Sequence, residues 1–194
     1  MNLVFATNNL NKLSEIKSLV SSDIKILSLG DINCQDDLPE TNPTIEENAL
    51  QKAKYIFDNY GFNCFADDTG LEIDALGGEP GVYSSRYAGI SCDAEKNINK
   101  VLDKLSAVDN RKSKFRTVIA LIINGKEYLF GGECLGDITK KKKGGLGFGY
   151  DPIFQPLGCN KTFAEMDQQQ KGIISHRGRA VVKLVDFLNR IKKR

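Results

Sequence analysis

The chain has 194 residues, of which 41% are hydrophobic, which suits one domain or one domain with a small lobe. No segment approaches the roughly 20 consecutive apolar residues of a membrane-spanning helix. The formal net charge of +2 lacks the strong basic bias of proteins that bind nucleic acid non-specifically. We therefore expect neither a membrane nor a nucleic acid as a partner.

The first predicted elements are a strand, a polar loop and a helix. Residues 3–6 are an apolar run typical of a buried strand, and apolar residues recur at helical spacing from Leu13 to Val20. The loop TNNLNK between them opens the helix, where backbone N–H groups and the helix dipole favour an anion. By itself, the loop is better explained as a polar turn with a helix cap. Its side-chain donors are Thr7, Asn8, Asn9, Asn11 and Lys12.

Thr44 begins the next predicted helix, because it starts a capping box. The helix should run to about Asn59, and Gly61 is suited to end it. Lys52 lies on this helix, and Glu40 lies just before it. A lysine beside a carboxylate suits a complex of a triphosphate with magnesium, although alone the pair predicts only an exposed lysine and a solvated acid.

Residues 63–75 predict two short strands joined by a turn of sequence Asp67-Asp68-Thr69-Gly70. Adjacent carboxylates are poor core residues, since a buried unpaired carboxylate is costly. They are good ligands for a hard cation and can act as a general base toward water. Because the turn also places them at a strand end, where ligand sites of α/β proteins occur, we favour a functional site over an ordinary turn.

The cysteine pattern indicates that any catalytic metal is held by carboxylates. There are five, widely spaced, with no CxxC pair, and the only histidine is His176. A structural zinc site needs clustered thiolates or imidazoles, so none is expected. Reduced thiols fit a cytoplasmic protein.

The second half of the chain predicts a mixed sheet. Residues 93–105 have helical periodicity, and residues 115–123 form a strand that Asn124-Gly125 joins to a return strand at 127–133. Because Asn-Gly is a strong hairpin signal, part of the sheet is antiparallel. The fold class is therefore α/β with mixed connections.

Two further segments carry polar groups suited to a nucleotide. In the Gly-rich segment 144–154, Phe148 and Tyr150 could stack on a base and Asp151 could accept from its ring N–H groups, and a Gly-rich turn with core aromatics is an equally good explanation. Lys171 and the sequence Ser-His-Arg-Gly at 175–178 lie at a helix start, which suits a phosphate or a carbonyl oxygen. The run of lysines Lys140–Lys143 is better explained as a solvated turn than as a nucleic-acid-binding patch.

Five motifs, in this order, resemble the inosine triphosphate pyrophosphatase family, also called Ham1-like or non-standard purine NTP pyrophosphatases. The motifs together span nearly the whole chain. They are ATNNLNK at 6–12, ENALQKA at 47–53, ADDTGLEIDALGGEPGVYSSRYAG at 66–89, GFGYDPIF at 147–154 and ISHRGRA at 174–180.

The resemblance implies a fold, an activity and partners. It implies one domain over residues 1–194, an elongated mixed α/β sheet with two lobes and a nucleotide cleft between them. It implies a homodimer that hydrolyses ITP, dITP and XTP to the monophosphate and pyrophosphate with Mg²⁺. The purine nucleoside triphosphate is then the substrate.

The resemblance also implies residue roles. Glu40 and Asp68 hold Mg²⁺, and Asp68 is the general base. Asn8 and Asn11 stand where many relatives have glycine, so the resemblance does not define the backbone conformation of their loop. The residues implied to lie at the phosphates are Thr7, Asn9, Lys12, Lys52 and Arg86. Phe148 is implied to stack on the purine, Asp151 to read its edge, and Lys171, His176 and Arg177 to complete the base and phosphate pocket. The further implied substrate contacts are Asn8, Leu10, Asn11, Thr69, Gly149 and Tyr150.

Two alternatives stay open. A Maf-like pyrophosphatase shares the general fold and acts on modified pyrimidine triphosphates, and the HRG motif after GFGYDPIF argues against it. A non-enzymatic nucleotide- or RNA-binding protein would use the run Lys140–Lys143.

Overall fold

The computed structural model describes residues 1–20 and 24–192, which form a mixed α/β fold. Seven strands within these residues form one sheet, in the order β2-β1-β3-β5-β6-β7, with β4 beside β3. β1 pairs in parallel with β2 and β3, whereas the β3–β4 and β6–β7 pairs are antiparallel. The strands are β1 (Asn2–Phe5), β2 (Lys25–Leu27), β3 (Cys64–Ile73), β4 (Pro80–Gly81), β5 (Lys112–Ile123), β6 (Lys126–Ile138) and β7 (Phe154–Pro156), and the α-helices are α1 (Leu10–Leu19), α2 (Ile45–Tyr60), α3 (Ala94–Lys104), α4 (Gln168–Ile174) and α5 (His176–Lys192).

The chain divides into two compact units, each with its own apolar core. The first unit comprises Met1–Asp68, Thr117–Gly132 and Arg177–Arg194, and its core includes Phe5 and Phe65, whose rings stack 4.6 Å apart. The second unit comprises Thr69–Arg116 and Glu133–His176, and its core includes Phe115, Phe154 and Phe163. The single domain over 1–194 and the cleft between lobes stay predictions. No helix within 1–20 and 24–192 is both long enough and apolar enough to cross a membrane.

The helix ends that the sequence predicts from capping residues are confirmed. The Thr44 side chain accepts the N–H of Glu47 at the start of α2, and Gly61 ends the helix in the left-handed conformation at φ 71°. Asp93 caps α3 in the same way as Thr44 caps α2. The Asn124-Gly125 hairpin is also present, with positive φ at both residues, as a tight two-residue turn requires.

The prediction of two short strands around Asp67-Asp68-Thr69-Gly70 is wrong. Residues Cys64–Ile73 form one continuous strand, β3, and both aspartates lie inside it, buried. The prediction treated the carboxylates as unpaired, and unpaired carboxylates would indeed break a buried strand. They are paired with cations from other elements, so the extended chain continues through them.

Candidate active site

The segment before α1 is held by its own side chains. The helix begins at Leu10, three residues earlier than Leu13, because the Asn9 side chain caps it by accepting the N–H groups of Asn11 at 3.0 Å and Lys12 at 3.1 Å. Thr7 Oγ1 in turn accepts the N–H of Asn9. The interpretation favoured for this loop by itself, a polar turn with a helix cap, is therefore confirmed, and the N–H groups of Asn11 and Lys12 are bonded to the cap. Neither Asn8 nor Asn11 has a positive φ, so glycine is not required at these positions.

Asp67 is the centre of a buried ion network in the first unit. Its carboxylate accepts from Lys12 Nζ at 3.0 Å and from Arg177 Nε at 3.1 Å, and Arg177 also pairs with Glu15. Burial alone would raise the pKa of Asp67, but Lys12, Arg177 and Lys52 outweigh it and the pKa is lowered. Both carboxylate oxygens thus face cations of the protein, so Asp67 is already paired where a metal ligand or a general base would need a carboxylate oxygen.

The neighbouring Asp68 has a different environment. Lys52 Nζ lies 3.5 Å from Asp68 Oδ1 and 2.5 Å from Glu40 Oε1, so one ammonium joins both carboxylates that the family resemblance assigns to the metal. Asp68 Oδ2 is buried and has no hydrogen-bond partner among the residues that the structure describes. Burial raises the pKa of Asp68, against the opposing effect of Lys52 and Lys12. Asp68 therefore has a carboxylate oxygen to offer that Asp67 lacks.

Glu40 and Asp68 fit a magnesium ion that also binds substrate. Within residues 1–20 and 24–192, no three Asp, Glu, His or Cys side chains form a complete metal site. Mg²⁺ is commonly held by one or two carboxylates together with substrate phosphates rather than by a full protein cage. The buried, unsatisfied oxygen of Asp68 and the partly exposed carboxylate of Glu40 have the donor chemistry that such a partial ligand set requires.

In the second unit, Asp151 organises an aromatic and cationic cluster. Its Oδ2 atom accepts from Lys171 Nζ at 2.7 Å and from the backbone N–H of Phe148 at 2.8 Å. The Lys171 ammonium lies 4.8 Å from the centre of the Phe148 ring, which is partly exposed. The Asp151 carboxylate thus holds both the backbone of Phe148 and the ammonium that lies over the Phe148 ring. This arrangement suits a stacking platform for a planar base.

Other residues predicted to contact the base or phosphates have different surroundings. Tyr150 is buried and donates its hydroxyl to the carbonyl of Ser84, so its ring is a core residue and not a stacking surface. The imidazole of His176 is buried and stacks on Phe115 at 4.5 Å. Arg86 lies in a 3₁₀ turn with its guanidinium over Tyr83. Gly149 has a positive φ of 60°, which favours glycine there.

Comparison with known proteins places these features in one family. The model of the Ham1 family matches residues 3–187. The chain belongs to the Ham1 family. A dITP/XTP pyrophosphatase of Flavobacterium johnsoniae is 55% identical over 192 residues, which are 99% of this chain and 100% of the relative. A solved HAM1 protein from Coxiella burnetii is 39% identical and superimposes with a TM-score of 0.89 over 98% of this chain and 99% of its own. A solved Staphylococcus aureus Ham1 protein is 38% identical, with a TM-score of 0.88 over 97% of this chain and 98% of its own.

The Ham1 motifs identified the lysines and aspartates but not how they are joined. Glu15, which pairs with Arg177, was missed, although it lies three residues after Lys12 and so shares a helix face with it. Arg177 was assigned to the substrate pocket, and two of its nitrogens are instead bonded to Glu15 and Asp67. Because Arg177 and Asp67 are 110 residues apart, no local pattern could have paired them.

Proposed function

We propose that this Ham1-family chain hydrolyses the non-standard purine nucleoside triphosphates ITP, dITP and XTP to the monophosphate and pyrophosphate. The observation that carries the proposal is the pair of neighbouring carboxylates with opposite environments. Asp67 anchors the cations of the site, and Asp68 keeps a buried oxygen available for chemistry. The relatives named dITP/XTP pyrophosphatase, up to 55% identical along the whole chain, support the choice of substrate.

In the first unit, we assign the triphosphate to Lys12 and Lys52. The Lys52 ammonium is buried and the Lys12 ammonium is largely buried, both beside carboxylates, where their interaction with phosphate oxygens is stronger than in water. The reaction is an in-line attack of water on the α-phosphorus, with pyrophosphate leaving. The two lysines offset negative charge that develops on the phosphoryl oxygens.

Asp68 would accept the proton of the attacking water through its carboxylate. Its raised pKa makes it a better proton acceptor than Asp67, whose pKa is lowered. Glu40 and Asp68 would hold Mg²⁺ with the substrate phosphates. When bound, the ion supplies charge neutralisation and polarisation of phosphoryl oxygens.

In the second unit, we assign the purine to Phe148, Lys171 and Asp151. Phe148 would stack on the base, and Lys171 or His176 would donate to its 6-oxo group. Adenine has a donor at that position, so its complex would leave buried groups unpaired, at a cost of about 1–3 kcal/mol or more. GTP shares the 6-oxo group and must be rejected through its 2-amino group.

We also propose that the protein acts as a homodimer in the cytoplasm. No disulfide joins the five cysteines, all of which lie within the described residues, and this supports a reducing compartment. The RNA-binding alternative rested on Lys140–Lys143, which are solvent-exposed, with Lys142 paired to Glu95. Charge reversal of that run should leave pyrophosphate release unchanged.

A substrate panel with product identification tests this function. With Mg²⁺ present, ITP, dITP and XTP should yield monophosphate and pyrophosphate, with kcat/KM well above the values for ATP and GTP. EDTA should abolish turnover, and excess Mg²⁺ should restore it. Release of orthophosphate would contradict the bond assignment, equal kcat/KM for GTP and ITP would contradict the selectivity, and a preference for UTP or dTTP would favour the Maf-like alternative.

Gly147→Ala should weaken substrate binding. Gly147 has a φ of 73°, and a Cβ there would collide with the carboxylate of Asp151, which holds Phe148 and Lys171. We expect KM for ITP to rise about 10-fold or more with a smaller change in kcat, since the phosphate-binding unit is untouched. The matched control is Gly145→Ala, because a Cβ built there has no atom of the described residues within 4 Å apart from Gly145 and its two chain neighbours. Equal KM values for the two variants would contradict the role of the Asp151 cluster.

A further inference from the structure

The loop that carries Glu40 is fastened to α2 on both sides of that residue. On the C-terminal side, the N–H of Asn42 donates to Asn48 Oδ1, and Gln51 bonds with Thr41. On the N-terminal side, the attachment is made by Asp36. Because α2 also carries Lys52, the same helix fixes Glu40 and the ammonium that contacts it.

Asp36 is the centre of a cluster of hydroxyl donors. Its Oδ2 atom accepts from the phenol of Tyr55 at 3.0 Å and from that of Tyr60 at 2.7 Å, and the Cys34 thiol lies 4.0 Å away. The hydrogen bonds from Tyr60 and Tyr55 lower the pKa of Asp36, so it is ionised at neutral pH. Hydrogen bonds to an ionised acceptor are about twice as strong as those between neutral groups. One carboxylate therefore ties the loop to two side chains of α2.

The same residue is joined to the segment before α1. The Asn8 side-chain amide donates to the backbone carbonyl of Asp36 at 3.2 Å. Asn8 directly precedes Asn9, the cap of the helix on which Lys12 lies. Through its side chain and its backbone, Asp36 thus links the Glu40 loop, α2 and the start of α1.

We propose that Asp36, held by Tyr55 and Tyr60, is a positioning residue that sets the affinity of the Glu40–Asp68 pair for its divalent cation. The inference rests on the proposed function and deepens it. In this assignment, Asp36 is a ligand of neither the cation nor the substrate. Asp36 lies four residues before Glu40, and it acts by holding in place the loop that carries Glu40.

Cation affinity should be sensitive to this attachment. Mg²⁺ requires near-ideal octahedral geometry, so a ligand on a loose loop loses affinity. Groups that orient metal ligands typically contribute 10–100-fold to metal affinity. Lys12, Lys52 and Asp68 lie on α1, α2 and β3, so they should keep their places when the loop loosens.

The test is Asp36→Ala, measured by Mn²⁺ binding and by kinetics. Mn²⁺ titration followed by electron paramagnetic resonance, with α,β-methylene-ITP present, should show affinity reduced about 10-fold or more. The Mg²⁺ concentration for half-maximal activity should rise by a similar factor, while kcat at saturating Mg²⁺ falls less than about 3-fold. Asp36→Asn keeps one acceptor oxygen and should be intermediate, as should the double variant Tyr55→Phe/Tyr60→Phe. Asp37→Ala removes an exposed carboxylate from the same loop and should match the unmodified protein.

The outcomes separate this inference from the proposed function. Absence of pyrophosphate release from ITP by the unmodified protein would overturn the function itself. If that protein is active and Asp36→Ala binds Mn²⁺ as tightly as Asp37→Ala does, the positioning role is wrong. A loss of kcat at saturating Mg²⁺ with unchanged cation affinity would also overturn it.

Discussion

Asp68→Asn should abolish turnover while the fold survives. The substitution keeps the size of the side chain but removes the proton acceptor and one of the two proposed metal ligands. We expect kcat for ITP to fall by about 100-fold or more, the range of a lost general base. The measurement is single-turnover hydrolysis at saturating Mg²⁺, with circular dichroism and thermal unfolding on the same sample.

The stability of that variant follows from the environment of Asp68. Burial disfavours its charged form, and its Oδ2 atom has no hydrogen-bond partner among the described residues, so a neutral amide relieves part of a desolvation cost. Lys52 keeps Glu40 as a partner. We expect thermal stability equal to or above that of the unmodified protein. The control is Asp74→Asn, which changes an exposed acid just after β3 and should leave both kcat and thermal stability unchanged. Near-normal activity of Asp68→Asn would remove Asp68 from the mechanism.

Local signals predicted the local structure well. Thr44, Gly61 and Asp93 mark helix ends because a cap satisfies backbone groups within a few residues, and Asn124-Gly125 marks a turn because its two residues tolerate positive φ. These preferences do not depend on the rest of the chain. The mixed α/β class followed from them and is confirmed.

The interior of the site could not be predicted in the same way. Asp67 and Asp68 are chemically identical and adjacent, and local sequence gave both the role of a strand-end acid. Their difference comes from side chains that lie far away in sequence, since Arg177 and Lys12 reach Asp67 whereas Lys52 reaches Asp68. Likewise, the hydroxyl of the buried Tyr150 donates to the carbonyl of Ser84, which lies 66 residues earlier in the sequence.

Asp67→Asn should have the opposite outcome to Asp68→Asn, with a large loss of stability. The amide removes the negative charge that lies between the buried Arg177 and the largely buried Lys12, and its NH₂ group would face a donor on one of them. Breaking a buried ion pair in this way costs about 3–5 kcal/mol, because a buried charge is left without compensation. Equilibrium unfolding in urea should show this decrease in the free energy of unfolding.

Comparison variants locate the origin of that loss. Glu15→Gln should be milder, because Arg177 keeps its ion pair with Asp67 and loses only one of its two carboxylate partners. Adding Lys12→Met to Asp67→Asn should recover part of the stability, since it removes the cation left uncompensated while Arg177 retains Glu15. If the free energy of unfolding of Asp67→Asn lies within about 1 kcal/mol of that of the unmodified protein, the ion network does not stabilise the site. The proposed difference in role between the two aspartates is then wrong. If it is destabilised but Lys12→Met recovers nothing, the loss arises at Arg177, and Lys12 is held by other contacts.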